Sequence, residues 1–170
     1  MKFLVSVFLC FSAFIASAQD QVVQSNLKGL LSHQQSQIVD LLNAFSEDQM
    51  DWRPAEGVRS VSEAFTHIAS SNYFLASGMG FKTPDDVDMN AINNTTGKEN
   101  MVAALNKSFA FILDKIGQIK SSDFEKEVDF GFAKMSMVSA MMLILEHVSE
   151  HKGQLIAYAR SNGVVPPWSQ

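Results

Sequence analysis

Apolar residues recur along this chain at the three- and four-residue spacings of amphipathic helices, in four separate stretches. The stretches cover residues 21 to about 46, 60 to about 78, 96 to about 119, and about 134 to 162. In the first stretch the apolar stripe spans roughly 120° of the helix. Its members are Leu27, Leu30, Leu31, Ile38, Leu41, Leu42 and Phe45. The pattern predicts one all-α domain, a four-helix bundle without a sheet.

Polar and helix-breaking residues separate the four helices. Two pairs have the spacing of a capping box and therefore predict helix starts, namely Ser60 with Glu63 and Thr96 with Glu99. Residues 81–95 form a long polar crossover between helices 2 and 3, which allows these two helices to run parallel. Residues 125–130 are expected to form only a short extended piece near the mouth of any site.

The N-terminal residues 1–18 have the pattern of a signal peptide. Lys2 supplies a positive charge, residues 4–15 are mainly apolar, and Ala16-Ser17-Ala18 is a small-x-small cleavage site. The apolar run is too short for a stable membrane anchor. We therefore expect the domain at residues 19–170 to be exported, and thus periplasmic or secreted.

Composition narrows the chemistry of the exported domain. The formal charge of −5 becomes −6 once the signal peptide, whose one charged side chain is Lys2, is removed. This acidic balance, without any basic tract, argues against nucleic-acid binding. The single cysteine, Cys10, is lost with the signal, so any metal ligands must be nitrogen or oxygen atoms.

Two histidines in the fourth helix have the spacing of a metal-binding pair. His147 and His151 are four residues apart, which places both imidazoles on one helix face, about 5–6 Å apart at Cβ. His67 lies at the edge of the apolar stripe of helix 2 and is the best third ligand. His33 projects away from its stripe and is excluded. Metal catalysis commonly uses three protein ligands and leaves a position open, so the pattern predicts a metal ion held by these three histidines.

Two acidic residues are candidates for proton transfer or for support of the metal ligands. Glu63 lies one helical turn before His67, and Glu150 lies beside His151. Glu63 could equally act only as a cap, and Glu150 only as a surface acid. Neither zinc-peptidase motif applies: Val148 occupies the general-base position of H-E-x-x-H, and the 19 residues after His151 lack the further acidic ligand expected for H-x-x-E-H.

The order of the motifs resembles the DinB-like family across nearly the whole mature chain. The motifs are Trp52-Arg53-Pro54, a Gly-x-Arg-Ser turn from Gly57 to Ser60, His67-Ile68, His147-x-x-x-His151-Lys152-Gly153-Gln154-Leu155, and an ending with Arg160, Gly163 and Pro166-Pro167. The resemblance implies a four-helix bundle of up-down-down-up topology, often a homodimer, with a divalent metal on His67, His147 and His151. It also implies thiol-dependent transferase or isomerase activity in some members, which the export signal places in doubt because low-molecular-weight thiols are mainly cytosolic.

Two functional hypotheses remain open at this point. The first is a metal-dependent enzyme, a hydrolase or a thiol-dependent transferase, that acts on a small-molecule substrate. The second is a non-catalytic protein that binds a metal or a small ligand. A purely structural role without metal is weakened by the three histidines, since buried imidazoles without a metal would each need a separate hydrogen-bond partner.

Overall fold

A computed structural model of the chain describes residues 21–169, which form four long helices, one short helix and a small hairpin. The predicted signal peptide, residues 1–18, lies outside the described residues. The elements in chain order are α1 (Val22–Ala44), α2 (Val61–Gly78), α3 (Met89–Asn93), α4 (Lys98–Gln118), β1 (Glu127–Asp129), β2 (Lys134–Ser136) and α5 (Met137–Ser161). Short 3-10 turns follow α1, α4 and α5. In residues 21–169 no helix is both long and apolar enough to span a bilayer.

Hydrogen bonds between the helices define their directions. Gln24, at the start of α1, donates to the carbonyl of Ile119, just past the end of α4, so α1 and α4 are antiparallel. On α1, Gln34 contacts Ser149 of α5, and Gln37, three residues later, contacts Lys152, also three residues later on α5. These two helices are therefore parallel.

Helix α2 runs opposite to α5. Arg59, just before α2, accepts a hydrogen bond from Tyr158 near the end of α5, whereas His67, further along α2, contacts His147, nearer the start of α5. The topology is therefore up-down-down-up, as the family resemblance implied. Helices α1 and α2 each pack against α4 and α5, so α1 lies diagonally opposite α2, and α4 lies diagonally opposite α5.

The buried interior follows the predicted apolar stripes closely. In α1 the side chains of Leu27, Leu31, Ile38, Leu41 and Leu42 are all buried. Leu30 is the exception, because it remains 52% exposed at the edge of the stripe. The predicted place of Leu30 in the buried stripe is wrong, since the elements that pack on α1, namely α4, α5 and the C-terminal 3-10 turn, leave this flank in solvent.

The two predicted capping boxes have different outcomes. Ser60 accepts from the backbone N–H of Glu63 at 3.3 Å, and Glu63 accepts from the backbone N–H of Ser60 at 2.7 Å, which confirms the first box. The second box is wrong. Helix α4 starts one residue later than predicted, after Gly97, whose positive φ of 80° turns the chain and leaves no side-chain cap on the helix.

The connection before α5 contains a two-stranded antiparallel hairpin, which corrects the prediction of a sheetless bundle. Val128 pairs with Met135, and the turn between the strands uses Gly131 at φ 81°. Strand β1 falls within residues 125–130, the expected extended piece, but its pairing with β2 was not predicted because strands of three residues are too short for a period-two pattern to show. As a consequence α5 begins at Met137, after Ser136 as its cap, rather than at Lys134.

The crossover between α2 and α4 is mostly irregular, as predicted, but contains the short helix α3. Asp88 caps α3 by accepting from the N–H of Asn90 at 2.8 Å. Helix α3 packs against α2. The hydroxyl of Ser70 on α2 donates to Asn93 at 2.7 Å, which places the end of α3 beside the middle of α2.

Candidate metal centre

The three histidines predicted as ligands lie together in the structure, between α2 and α5. His67 is in the middle of α2, and His147 and His151 lie one turn apart on the facing side of α5. Their potential ligand nitrogens are all within 4.8 Å of one another. The helix pair brings them together because α2 and α5 are adjacent and antiparallel, so the midpoints of the two helices meet.

The contacts within this triad are close. The Nε2 atoms of His67 and His147 are 3.2 Å apart. The ring centroids are separated by 5.1 Å for His67 and His147, 4.6 Å for His67 and His151, and 4.5 Å for His147 and His151. The rings meet edge to face or at a tilt, and no two of them are stacked in parallel.

Burial keeps two of these imidazoles uncharged. The pKa of His67 is lowered from 6.5 to about 4, mainly by burial and further by the positive charge of Arg59. The pKa of His147 is likewise lowered to about 4, with burial as the main cause and His151 as the next. At neutral pH both side chains are therefore neutral, the form that binds metals.

A chain of hydrogen bonds orients the third histidine. Nδ1 of His151 is 2.8 Å from Oε1 of Gln154, and because that oxygen can only accept, Nδ1 carries the proton. Gln154 in turn donates to the hydroxyl of Tyr158 at 2.7 Å, and this hydroxyl donates to the carbonyl of Arg59 at 3.1 Å. The lone pair of His151 is thus on Nε2, as in metal sites whose histidines are oriented by outer hydrogen bonds.

The triad fits a divalent metal ion. Two nitrogens bound at 2.0–2.1 Å to a tetrahedral ion would lie roughly 3.4 Å apart, close to the 3.2 Å between His67 and His147. Nδ1 of His147, on the other side of the ring, is buried without a hydrogen-bond partner and would stay so when Nε2 binds the ion. A donor set of three imidazoles suits zinc, nickel or a similar ion.

The other predicted residues occupy different environments. His33 is exposed on α1 and does not join the triad. Glu63 is close to the site, but its carboxylate caps α2 and forms a 3.2 Å ion pair with Arg53. These contacts, the cap first, lower the pKa of Glu63 and make it a weak base. Glu150 is exposed on α5, where its charge acts on His147 at a distance.

Three cavities open beside His67, and two of them differ clearly in character. One has a volume of about 260 Å³ and is lined by polar groups, including Arg59, Glu63 and Asn93. The other, of about 270 Å³, borders both His67 and His147 and is mainly apolar. A molecule of modest size could therefore reach the triad with a polar end on one side and an apolar end on the other.

Sequence reasoning missed the groups that surround the triad. Gln154 and Tyr158 lie three and seven residues after His151, so helix geometry places all three on one face and is the signal that could have found them. Arg59 was seen only as part of a turn. No sequence signal pointed to Phe132, because its position depends on where the hairpin docks.

Comparison with known proteins agrees with this architecture. The model of the DinB family matches residues 20–170. The chain is 27% identical over 136 residues to the uncharacterized protein YjoA of Bacillus subtilis (strain 168), an alignment that covers 73% of this chain and 80% of YjoA.

Solved structures share the fold at low sequence identity. A DinB-like protein from Bacillus cereus ATCC 10987 superposes with a TM-score of 0.68 at 17% identity, covering 80% of this chain and 90% of that one. The structure of YjoA gives a TM-score of 0.65 at 19% identity, over 85% and 98% of the two chains. YfiT from Bacillus subtilis, described as a probable metal-dependent hydrolase with an unusual four-helix bundle topology, gives 0.66 at 15% identity, over 84% and 89%.

Proposed function

The chain belongs to the DinB family, and from this premise we propose that it is an exported, metal-dependent hydrolase of a small molecule. The observation that carries the proposal is the convergence of His67, His147 and His151 beside two open cavities. The relative YfiT, described as a probable metal-dependent hydrolase, has the same fold and supports the same class of reaction.

The residues of the site have separate roles in this proposal. The three histidines hold the ion, and Gln154 keeps the ring of His151 in the tautomer that leaves Nε2 free. When bound, a divalent ion supplies Lewis acidity that polarises a carbonyl and, for zinc, lowers the pKa of water to about 7.

Arg59 supplies positive charge to the polar cavity. In the described part of the chain its guanidinium makes no ion pair, unlike that of Arg53, which pairs with Glu63. It also lowers the pKa of both His67 and His147, so its charge is felt at the triad. We infer that Arg59 attracts an anionic group of the substrate or stabilises negative charge that develops during hydrolysis.

Hydrolysis is favoured over thiol-dependent transfer by the N-terminal sequence. The pattern of residues 1–18 predicts export, and water is available in every compartment, whereas low-molecular-weight thiols are mainly cytosolic. The homodimer implied by the family resemblance stays a prediction, and so does the absence of nucleic acid from the partners.

A second function, binding without turnover, has one observation in its favour. Glu63, the acidic residue that lines the polar cavity, is engaged by Arg53 and by the cap of α2, and Glu150 lines neither of the two cavities described above. The site therefore lacks an obvious free general base among its described residues. A protein that holds a metal or a small ligand without reacting would have no need of one.

Metal analysis followed by a substrate screen separates the two functions. The purified protein should contain close to one divalent ion per chain by plasma mass spectrometry. The ion-loaded protein should then hydrolyse at least one class of small ester or amide, and chelation should abolish this activity. A protein that loads metal but is silent toward esters, amides and thiol-transfer substrates would favour the binding function. One that loads no metal would exclude the hydrolase and any metal-binding role.

A further inference from the structure

The apolar cavity beside the triad is lined by large apolar side chains that remain exposed to solvent. Apart from His67, His147 and Ser71, its lining consists of Phe74, Leu75, Phe132 and Leu143, and none of these residues carries a formal charge when the histidines are neutral. Phe74 is 47% exposed and Phe132 is 65% exposed. Fully burying a phenylalanine stabilises a protein by about 1.5–3 kcal/mol, so the fold forgoes much of this gain at two adjacent positions.

The hairpin holds Phe132 at this wall. The rings of Phe130, Phe132 and Phe74 form a stacked row, with centroids 5.5 Å and 6.5 Å apart. Phe130 anchors the row, because its ring lies directly against Gly78 at the end of α2, where a Cβ would overlap it. At the turn, the carboxylate of Asp129 accepts from the N–H of Gly131 at 2.8 Å. Phe132 is thus presented by a defined turn.

We propose that this apolar cavity binds the acyl or aryl arm of the substrate on which the metal centre acts. The inference rests on the proposed function and adds a substrate class, namely small molecules in which an apolar group adjoins the reacting bond. The observation behind this proposal is that the cavity and the triad share two residues, His67 and His147. A substrate whose reacting group is bound to the ion would therefore have its apolar arm beside Phe74, Phe132 and Leu143.

The size and the position of the cavity both indicate that its occupant is a small molecule. Its volume of about 270 Å³ is near the lower end of the range for ligand pockets, which suits a short chain or a single ring. The charged groups of the site lie on the opposite side of His67, where Arg59 and Glu63 line the polar cavity. A substrate with one apolar arm and one polar end would match both sides.

Hydroxamates of increasing chain length test this inference, since the hydroxamate group binds metals and the chain reports on the cavity. Acetohydroxamate, butyrohydroxamate and hexanohydroxamate would be titrated into the zinc-loaded protein by calorimetry. Each added methylene that enters the cavity should tighten binding roughly threefold to fourfold. Phe132→Ala should reduce the gain from chain length, whereas Phe132→Leu should retain most of it.

Leu30→Ala is the matched control, because Leu30 is similarly exposed but lies on α1 and does not line the cavity. It should leave the whole series unchanged. Both Phe132 and Leu30 are largely exposed, so neither variant should impair folding, and acetohydroxamate binding reports that the metal site is intact in each.

The outcomes separate the two proposals. If acetohydroxamate binds but chain length has no effect, or if Phe132→Ala leaves the gain intact, the apolar subsite is wrong and the proposed function stands. If chain length has no effect and Phe132→Ala instead dissociates a dimer, the aromatic row is a contact between two copies. If acetohydroxamate fails to bind, the ion has no open position and both proposals are overturned.

Discussion

The Nε2 atoms of His67 and His147 lie 3.2 Å apart, although 80 positions separate the two residues in the chain. Both imidazoles are neutral, so at most one of them can donate to the other, and Nδ1 of His147 is buried without a partner. A cation bound between the two Nε2 atoms would accept a lone pair from each ring, whereas a hydrogen bond between two neutral rings uses the lone pair of only one of them. This pair is therefore the part of the structure most sensitive to whether a metal is present.

Replacing any member of the triad should remove the ion. We expect His67→Ala, His147→Ala and His151→Ala each to lower metal occupancy sharply, as measured by plasma mass spectrometry. His33→Ala, in an exposed position on α1, should leave it unchanged. Chelation should lower the melting temperature of the wild type but not of the triad variants, because only a native state that binds the ion is stabilised by it. Loss of metal from His33→Ala alone would contradict the assignment.

Gln154→Leu should weaken metal binding without changing the ligands. The variant removes the acceptor for Nδ1–H of His151, and loss of such a partner costs about 10–100-fold in metal affinity. In the metal-free protein, nitrogen NMR of the side chains should show His151 shifting from a single tautomer to a mixture. A merely structural role of Gln154 would not produce this shift.

Gln118→Leu is the matched control for this change. Gln118 is exposed at the end of α4, where its amide donates to Asp114 one turn earlier, so the variant also removes a hydrogen bond within a helix but leaves the triad untouched. Its metal affinity should equal that of the wild type. Unchanged affinity in Gln154→Leu, with an unchanged tautomer, would exclude the role of Gln154.

The metal-free protein should lose stability as the pH falls from about 6.5 to about 4. In the folded state the pKa of His67 and of His147 is about 4, whereas in the unfolded chain it is near 6.5. Across this window the unfolded chain binds more protons, so acid favours unfolding, and below pH 4 these two residues add no further loss. Urea titrations in the presence of a chelator would measure the effect. A His67→Gln, His147→Gln double variant should show a shallower dependence, and an identical slope would refute the explanation.

Gly78→Ala should destabilise the protein and displace the hairpin. A Cβ at this position would overlap the ring of Phe130, and forcing extra volume into a packed contact costs about 1–3 kcal/mol. Gly29→Ala is the matched control, since Gly29 also lies in a helix but a Cβ there would meet no atom within 4 Å. That change should stabilise α1 by up to about 1 kcal/mol. Chemical denaturation would measure both, and equal effects would show that Phe130 is not anchored on Gly78.

Export should be visible at the N-terminus of the native protein. The pattern of residues 1–18 predicts cleavage after Ala18, so the mature chain should begin near Gln19. Mass spectrometry of the protein recovered from its host, with cell fractions separated, would identify the terminus. An intact Met1 on protein from the cytosolic fraction would contradict the prediction and would reopen thiol-dependent chemistry.

The sequence by itself determined the features that depend on near neighbours in the chain. Apolar spacing identified four long helices, because the period of a helix repeats within a few residues. The box of Ser60 and Glu63 was predictable for the same reason, since its two partners are three residues apart. The shared face of His147 and His151 also follows from helix geometry alone.

Only the tertiary structure decided which helix faces meet. The sequence placed His67 at the edge of a stripe, but its contact with His147 exists because α2 packs against α5 in antiparallel fashion, with α1 and α2 on one diagonal of the bundle and α4 and α5 on the other. The family resemblance supplied that topology, and periodicity could not. The exposure of Leu30 likewise reflects which flank of α1 the other helices leave uncovered.

The hairpin and the hydrogen bonds around the triad also depend on tertiary structure and could not be predicted from local sequence. Strands of three residues are too short for a pattern, so the expected extended piece near the site ended at residue 130 and did not include Phe132, which borders the metal centre. The bond from Tyr158 to the carbonyl of Arg59 joins residues 99 positions apart. Such contacts depend on how the helices pack against one another. That packing is determined by the whole core rather than by any short stretch of sequence.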